Sequence, residues 1–221
     1  MLVLHFILAM VIGYLLGSIP SGLIVGSFFG IDVRQSGSGK TGATNVLRSA
    51  GWKAGLIVVV ADALKGAIPV LLAYYVIGND TDATAKAWME TLAGLAAVLG
   101  HTYPLYVGFK GGRGVATTGG MALALNLPAA LFALLVFILP VVITRYVSLG
   151  SIVGASLLPF IYLGGVAIVT HQPVNGATWA TFVALLAAAI TIDWLHRDNI
   201  ERIRNGTERR LGEKAKPVAA K

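Results

Sequence analysis

Long apolar runs separated by short polar segments set the pattern of this chain. Leu2–Gly30 is apolar apart from His5 and a few hydroxyls, and it is long enough to cross a hydrocarbon layer of about 30 Å. Its Gly17-Ser-Ile-Pro20-Ser-Gly22 segment predicts a broken or kinked helix. A polar loop spans 31–53. Ala54–Gly78 predicts a second span, with Asp62 and Lys65 on one helical face. Charges inside a membrane are costly unless paired, so these two are expected to form a structural ion pair. Asn79–Glu90 reads as a short, mostly acidic connection, and Thr91–Phe109 as a third span with His101 near its far end. Lys110-Gly-Gly-Arg113-Gly114 makes a basic, glycine-rich turn. Tyr146–Thr170 and Ala177–Ile192 predict two further spans joined by a turn at His171–Gly176, and a charged tail begins at Asp193.

The run 114–144 is ambiguous by length: 31 residues, interrupted only by Asn126 and Pro128, reach about 46 Å as a helix, long for one span and short for two. The basic residues decide. Loop 31–53 holds four of the 17 Lys and Arg, the turn 110–113 two, and the tail beyond Asp193 eight. Cytoplasmic segments carry such residues preferentially. If 114–144 crosses twice, fifteen of the 17 face the cytoplasm, leaving Lys65 within a span and Lys86 outside. This predicts an all-α polytopic membrane protein with seven transmembrane helices, the N-terminus outside and the C-terminus cytoplasmic.

Composition agrees. The chain is 56% hydrophobic and 12% charged, against about 25% charged in soluble domains. The absence of cysteine excludes disulfides, thiol catalysis and thiolate metal sites. The apolar run begins at Leu2 without a basic leader, so it is expected to be a retained first span. A single membrane-embedded domain over 1–221 is expected, and the last residues, Lys214–Lys221, read as a basic end at the lipid surface.

The candidate chemistry centres on Arg34-Gln-Ser-Gly-Ser-Gly-Lys-Thr-Gly-Ala-Thr-Asn-Val-Leu-Arg48. Small residues let backbone N–H groups approach a ligand, and nearby cations favour an anion. Gly37-Ser-Gly39-Lys-Thr-Gly42 matches the dinucleotide fingerprint, but that fingerprint needs a strand and a βαβ unit, and both flanks here are spans. Gly39-Lys40-Thr41 resembles the end of a P-loop, whose opening glycine would fall at Arg34. Three patches on one face, 34–48, 101–114 and 193–210, converge instead. Together they offer backbone amides with Lys40, Arg48, Arg113, His196, Asn199, Ser38, Thr41, Thr44 and Asn45. This set suits anionic oxygens rather than a metal or a carboxylate dyad. In the tail, Asp198-Asn-Ile-Glu201 reads as a capped helix start and Gly206 as its stop. A transporter or channel for an anionic solute is the competing class, since broken glycine-rich helices also serve that purpose. The clustering of polar motifs on one face, with little at the midplane beyond Asp62 and Lys65, weighs against it.

The motifs carry a resemblance. Gly17–Gly22, Gly37–Asn45 with Arg48, Gly100-His-Thr-Tyr-Pro104 with Phe109–Thr117, and His196-Arg-Asp-Asn199 with Arg202–Glu208 resemble, in order and spacing, the bacterial acyl-phosphate:glycerol-3-phosphate acyltransferases. Lys40 stands where asparagine is usual and Arg113 where lysine is usual. The resemblance implies transfer of a fatty acyl group from acyl phosphate to the 1-hydroxyl of glycerol 3-phosphate, in a bacterial cytoplasmic membrane with the site facing the cytoplasm. No cofactor, metal or nucleic acid is implied. The bilayer, the two substrates and a peripheral enzyme that makes acyl phosphate are the partners it implies. It further implies Ser38, His196 and Asn199 as catalytic residues. Gly37, Gly39, Lys40, Thr41, Gly42, Thr44, Asn45, Arg48, Gly111, Gly112, Arg113 and Gly114 would bind substrate or phosphate. His196 and Asn199 are expected to donate hydrogen bonds to the developing oxyanion, with His196 free to swing toward loop 34–48.

Overall fold

The computed structural model describes residues 1–78, 81–169, 171 and 173–215, so the end from 216 onward lies outside the described residues. Among the described residues the chain is helical, with no strand. The helices are α1 (Leu2–Gly17), α2 (Ser21–Phe28), α3 (Ala43–Ala50), α4 (Trp52–Leu72), α5 (Ala83–Thr102), α6 (Val115–Leu125), α7 (Leu127–Thr144), α8 (Val147–Gly164), α9 (Gly176–Leu195) and α10 (Arg197–Arg204). Short π-helical turns extend α4 over Ala73–Ile77 and α8 over Gly165–Val169.

Local chemistry accounts for most boundaries. Pro20 separates α1 from α2, as expected for a residue that cannot donate to the preceding turn. Asn126 splits the 114–144 run, its side chain accepting from Ala129 N at 2.9 Å with Pro128 in the first turn of α7. The third apolar segment differs from its expected bounds at both ends. It starts at Ala83 because the Asp82 carboxylate accepts from Thr84 N and Ala85 N at 3.0 Å each, so Lys86 and Glu90 are helical. It stops at Thr102 rather than Phe109, just ahead of Pro104.

Five stretches among the described residues are long and apolar enough to cross a bilayer: Leu2–Phe28, Trp52–Ile77, Leu127–Thr144, Val147–Val169 and Gly176–Leu195. The polar residues of α5 and the shortness of α6 keep those two apart from the five. α6 measures about 16 Å, and its start is sunk beside Val98 and Thr102 of α5, which line Gly114.

Small residues let these helices approach closely, the usual substitute for hydrophobic driving force in lipid. Gly13 and Gly17 of α1 lie against the Ala93 and Ala97 carbonyls of α5. Gly66 of α4 lies against Thr117, and Gly120 of α6 against the Ala63 carbonyl. The loops and the tail then meet at one end of the bundle. Leu211 N donates to Arg145 O at 2.7 Å, Ala215 N donates to Arg48 O at 3.1 Å, and Arg113 Nε donates to Leu195 O at 3.0 Å. Loop 34–48, turn 110–114, Arg145 and the tail therefore share one end, and α6 and α7 run in opposite directions with Asn126 between them.

A methyl group at Gly120 would overlap the Ala63 carbonyl, whereas Gly119 faces open space. Gly120→Ala is expected to lower stability by about 1–3 kcal/mol through overpacking, and Gly119→Ala to leave it unchanged or slightly raised. Thermal unfolding of both variants in detergent checks this; equal behaviour would mean that the α4–α6 contact does not set stability.

Candidate active site

One buried amide builds the first loop. Asn45, on the first turn of α3, directs Nδ2 at three carbonyls, Val33 at 2.8 Å, Lys40 at 2.9 Å and Ser36 at 3.0 Å. Its Oδ1 accepts from Ser38 N at 3.0 Å. The side chain expected to bind substrate is thus fully occupied in folding the loop over 33–40. Gly37 and Gly39 take positive φ (59° and 68°) where the loop reverses, and a Cβ at Gly37 would overlap Asn45 Oδ1. Gly42 caps α3, leaving first-turn N–H groups and the positive end of the helix directed at the site.

The second loop is built the same way. Gly111 N donates to Thr102 O at 3.1 Å and Gly112 N to His101 O at 3.2 Å, which folds the turn back onto the end of α5. Gly114, at φ 80°, caps α6, so a second helix N-terminus opens beside the first. Arg113 between them spreads its fork over Leu195 O (Nε, 3.0 Å) and the Asp198 carboxylate (2.9 Å).

In the tail, α10 begins at Arg197, two residues earlier than expected, with no side-chain cap. Asp198 is therefore not its cap: the carboxylate is held by Arg113 and lies 3.7 Å from Arg202. Gly206 ends the helix as expected, Thr207 N bonding Arg202 O and Gly206 N bonding Ile203 O in a Schellman arrangement. Glu208, buried, ties the tail to the bundle. It accepts from Ser148 Oγ at 2.8 Å, Asn199 Nδ2 at 2.6 Å and Arg202 Nε at 2.8 Å.

These bonds orient the two residues expected to be oxyanion donors. A carboxylate can only accept, so Asn199 turns Nδ2 to Glu208 and keeps a carbonyl, Oδ1, without a partner. His196 lies 97% buried, and its Nδ1 sits 2.8 Å from Ile192 O, which requires a proton on that nitrogen. Burial, helped by the Arg113 guanidinium, lowers its pKa to about 4, so the ring is neutral near pH 7 and Nε2 is an acceptor. Both side chains present acceptors rather than donors. His196 does not swing; its backbone and ring are both anchored to the end of α9.

A cavity of about 440 Å³ joins these parts. Its polar end is lined by Ser38, Lys40, Gly42, Thr44, Asn45, Arg48, Arg113, Gly114, His196 and Asn199. Its other end runs between α6, α7 and α8 past Leu123, Ala133, Phe137 and Leu158. Arg48 donates to Arg209 O at 3.1 Å and keeps a buried Nε without a partner. Burial pushes its pKa down, with the Arg209 and Arg113 charges adding to this and Glu208 and Glu213 opposing it. Gly39, Gly111 and Gly112 line a smaller adjoining cavity of about 300 Å³, which also touches Ser38 and Lys40. Gly37 and Thr41 line neither. Asp62, His101, Ser148, Arg202, Glu208 and Arg209 also line the large cavity; His101, Arg202, Glu208 and Arg209 fall within the segments expected to converge, though without an assigned role, whereas for Ser148 no local sequence signal exists.

Residues 7–206 match the family model for glycerol-3-phosphate acyltransferase. The chain belongs to the glycerol-3-phosphate acyltransferase family. It is 43% identical over 216 residues to the glycerol-3-phosphate acyltransferase of Synechococcus sp. (strain CC9902), covering 97% of this chain and 100% of that one. Glycerol-3-phosphate acyltransferase 2 of Moorella thermoacetica is 41% identical over 211 residues, with 95% and 100% covered. Among solved structures, PlsY, an integral membrane glycerol 3-phosphate acyltransferase, superposes in its glycerol 3-phosphate form with a TM-score of 0.80. It is 39% identical, with 94% of this chain and 96% of that chain covered. Its lysophosphatidic acid form gives 0.79 at 38% identity, covering 94% and 95%. The acyltransferase family thus shares the helical membrane fold found here over nearly its whole length.

His196 gives a test of the site's electrostatics. With a pKa of about 4 against 6.5 for an exposed histidine, the unfolded chain takes up the proton first, so stability falls as pH drops from about 6.5 toward about 4. Nitrogen-15 spectra of histidine-labelled protein, assigned with His196→Ala, are expected to show an Nδ1–H tautomer titrating near pH 4. A midpoint near 6.5 would mean a solvated tail residue.

Proposed function

We propose that this acyltransferase moves a fatty acyl group from acyl phosphate to the 1-hydroxyl of sn-glycerol 3-phosphate, giving 1-acyl-glycerol 3-phosphate and inorganic phosphate. The observation that carries this reading is the continuity of one cavity from a cationic, amide-lined end to an apolar end among α6, α7 and α8. An acyl phosphate has that polarity in one molecule. Two phosphate dianions about 6 Å apart at an effective dielectric of about 20 repel by roughly 11 kcal/mol, which explains a site rich in cations and helix N-termini and without a nucleophilic dyad.

Arg48 with the α3 N-terminus, and Arg113 with the α6 N-terminus, hold one phosphate each. His196 Nε2 and Asn199 Oδ1 accept hydrogen bonds from the glycerol hydroxyls and aim the 1-oxygen, and Ser38 closes the first loop over the reacting atoms. The bond from that oxygen to the acyl carbon forms as the carbon–phosphate-oxygen bond breaks. The proton goes to a phosphate oxygen. Burial lowers the pKa of His196 to about 4, so phosphate, with a second pKa near 6, is the more basic of the two groups. Orientation of an activated donor supplies the rest. Fifteen of the 17 basic residues on one side of seven spans support a cytoplasmic site, an external N-terminus and a bacterial inner-membrane location. A peripheral enzyme producing acyl phosphate would then deliver it to this face.

Purified protein given acyl phosphate and glycerol 3-phosphate is expected to release phosphate stoichiometrically with acylated glycerol 3-phosphate; no release above background would overturn the reading in favour of anion transport. Arg48→Ala is expected to cost about 2–5 kcal/mol in kcat/KM by stranding a buried phosphate charge. Arg113→Lys is expected to be milder than Arg113→Ala, since it keeps the charge beside Asp198. For topology, a cysteine placed at position 82 of this cysteine-free chain should react with an impermeant reagent on intact cells, and one at position 212 should not. The reverse pattern would invert the orientation.

A further inference from the structure

Beneath the two loops lies a buried polar cluster that the proposed chemistry does not use. Asp62 and Lys65 of α4 pair at 2.9 Å, as their spacing predicts, with relative exposures of 1% and 7%. Ser21 Oγ, at the start of α2, donates to Asp62 Oδ1, and Lys65 Nζ donates to Ile19 O at 2.9 Å in the break between α1 and α2. His101 Nδ1, from α5, stands 3.4 Å from the same carboxylate oxygen, an electrostatic contact rather than a well-formed hydrogen bond. Side chains of α2, α4 and α5 thus converge on one carboxylate, and Asp62 and His101 reach the wall of the large cavity.

The cluster touches both loops. Gly22, next to Ser21, packs so closely that a Cβ there would overlap the Thr41 carbonyl of the first loop. On the other side the His101 ring lies flush against Gly112, where a Cβ would overlap Nε2, while the His101 carbonyl accepts from Gly112 N. Gly112 immediately precedes Arg113. The first loop in turn comes near the second, a Cβ at Gly42 falling 4.0 Å from Gly112 Cα.

Resting on the reading that each loop holds one phosphate, we infer that His101, braced by Asp62, is a positioning residue that sets the spacing between the two anion-binding loops. Its ring is the spacer under Gly112, and the Asp62 carboxylate, neutralised by Lys65, fixes where that ring stands. The carboxylate also anchors Ser21 and hence Thr41, so one buried group references both loops to α4. A misplacement on the order of 1 Å between reactants costs about a hundredfold in rate. The role is to hold geometry: the His101 ring reaches the cavity wall but takes no part in the bond exchange.

The test is a two-residue cycle in full-length, detergent-purified enzyme, with kcat and KM measured per folded molecule and melting temperature recorded. His101→Ala removes the spacer and Gly112→Ala crowds it. Each is expected to lower kcat by about a hundredfold with KM for glycerol 3-phosphate within about threefold. The double variant places a methyl group in the vacated space and is expected to recover at least tenfold in kcat over Gly112→Ala. Should His101→Ala fail to accumulate folded, His101→Asn takes its place in the cycle. Wild-type turnover with unaltered kcat in the single variants, or losses that simply add in the double, would overturn the positioning role while leaving the proposed reaction standing. Absence of wild-type turnover would instead remove the reaction itself. A purely structural role would lower melting temperature and yield without the reciprocal recovery.

Discussion

Largely enclosed cationic side chains gathered at one end of a helical bundle are the constraint around which this structure is arranged. Arg48 has a partnerless buried Nε, and its charge lies close to that of Arg113. Such a site is costly when empty and stabilised by bound anions. Glu208 and Asp198 offset part of that cost, but they stand toward the tail side, bonded to Arg202 and Arg113. The helix N-termini at Gly42 and Gly114 add partial positive charge without adding side chains.

Holding such groups near a bilayer requires backbone that is irregular yet satisfied. Asn45 supplies that for the first loop, standing in for ladder partners that a loop lacks. The second loop borrows the last carbonyls of α5, which the helix leaves unused. Both loops therefore hang from helices whose positions are fixed by glycine-mediated contacts, and the precision of the site derives from α1–α5 and α4–α6 packing.

The membrane imposes the second organising contrast. Apolar lining between α6, α7 and α8 meets the polar end within a single cavity, so a substrate with an alkyl tail need not leave lipid-like surroundings to reach the amides. The break at Asn126 allows α6 to begin inside the bundle and still reach the opposite end in eleven residues. That half-length helix lets its N-terminus open into the cavity beside the first loop.

The break at Pro20, the stop at Gly206 and the Asp62–Lys65 pair were legible in the sequence because each depends on residues within a few positions of one another, whereas the split of 114–144 was legible only from the distribution of basic residues along the chain, and the third apolar run missed its bounds. Convergence of the basic segments at one end also followed from their distribution along the chain. What only the tertiary structure decided is which partner each polar group takes. Asp198 reads locally as a helix cap but bonds Arg113, 85 positions away. Glu208 meets Ser148 across 60 positions, and it also accepts from Asn199 Nδ2, which leaves Asn199 Oδ1 as an acceptor at the cavity. The depressed His196 pKa likewise arises from burial under distant elements. A side chain's hydrogen-bonding sense is set by the strongest available partner, and in a helical bundle that partner comes from another helix, which no local periodicity encodes.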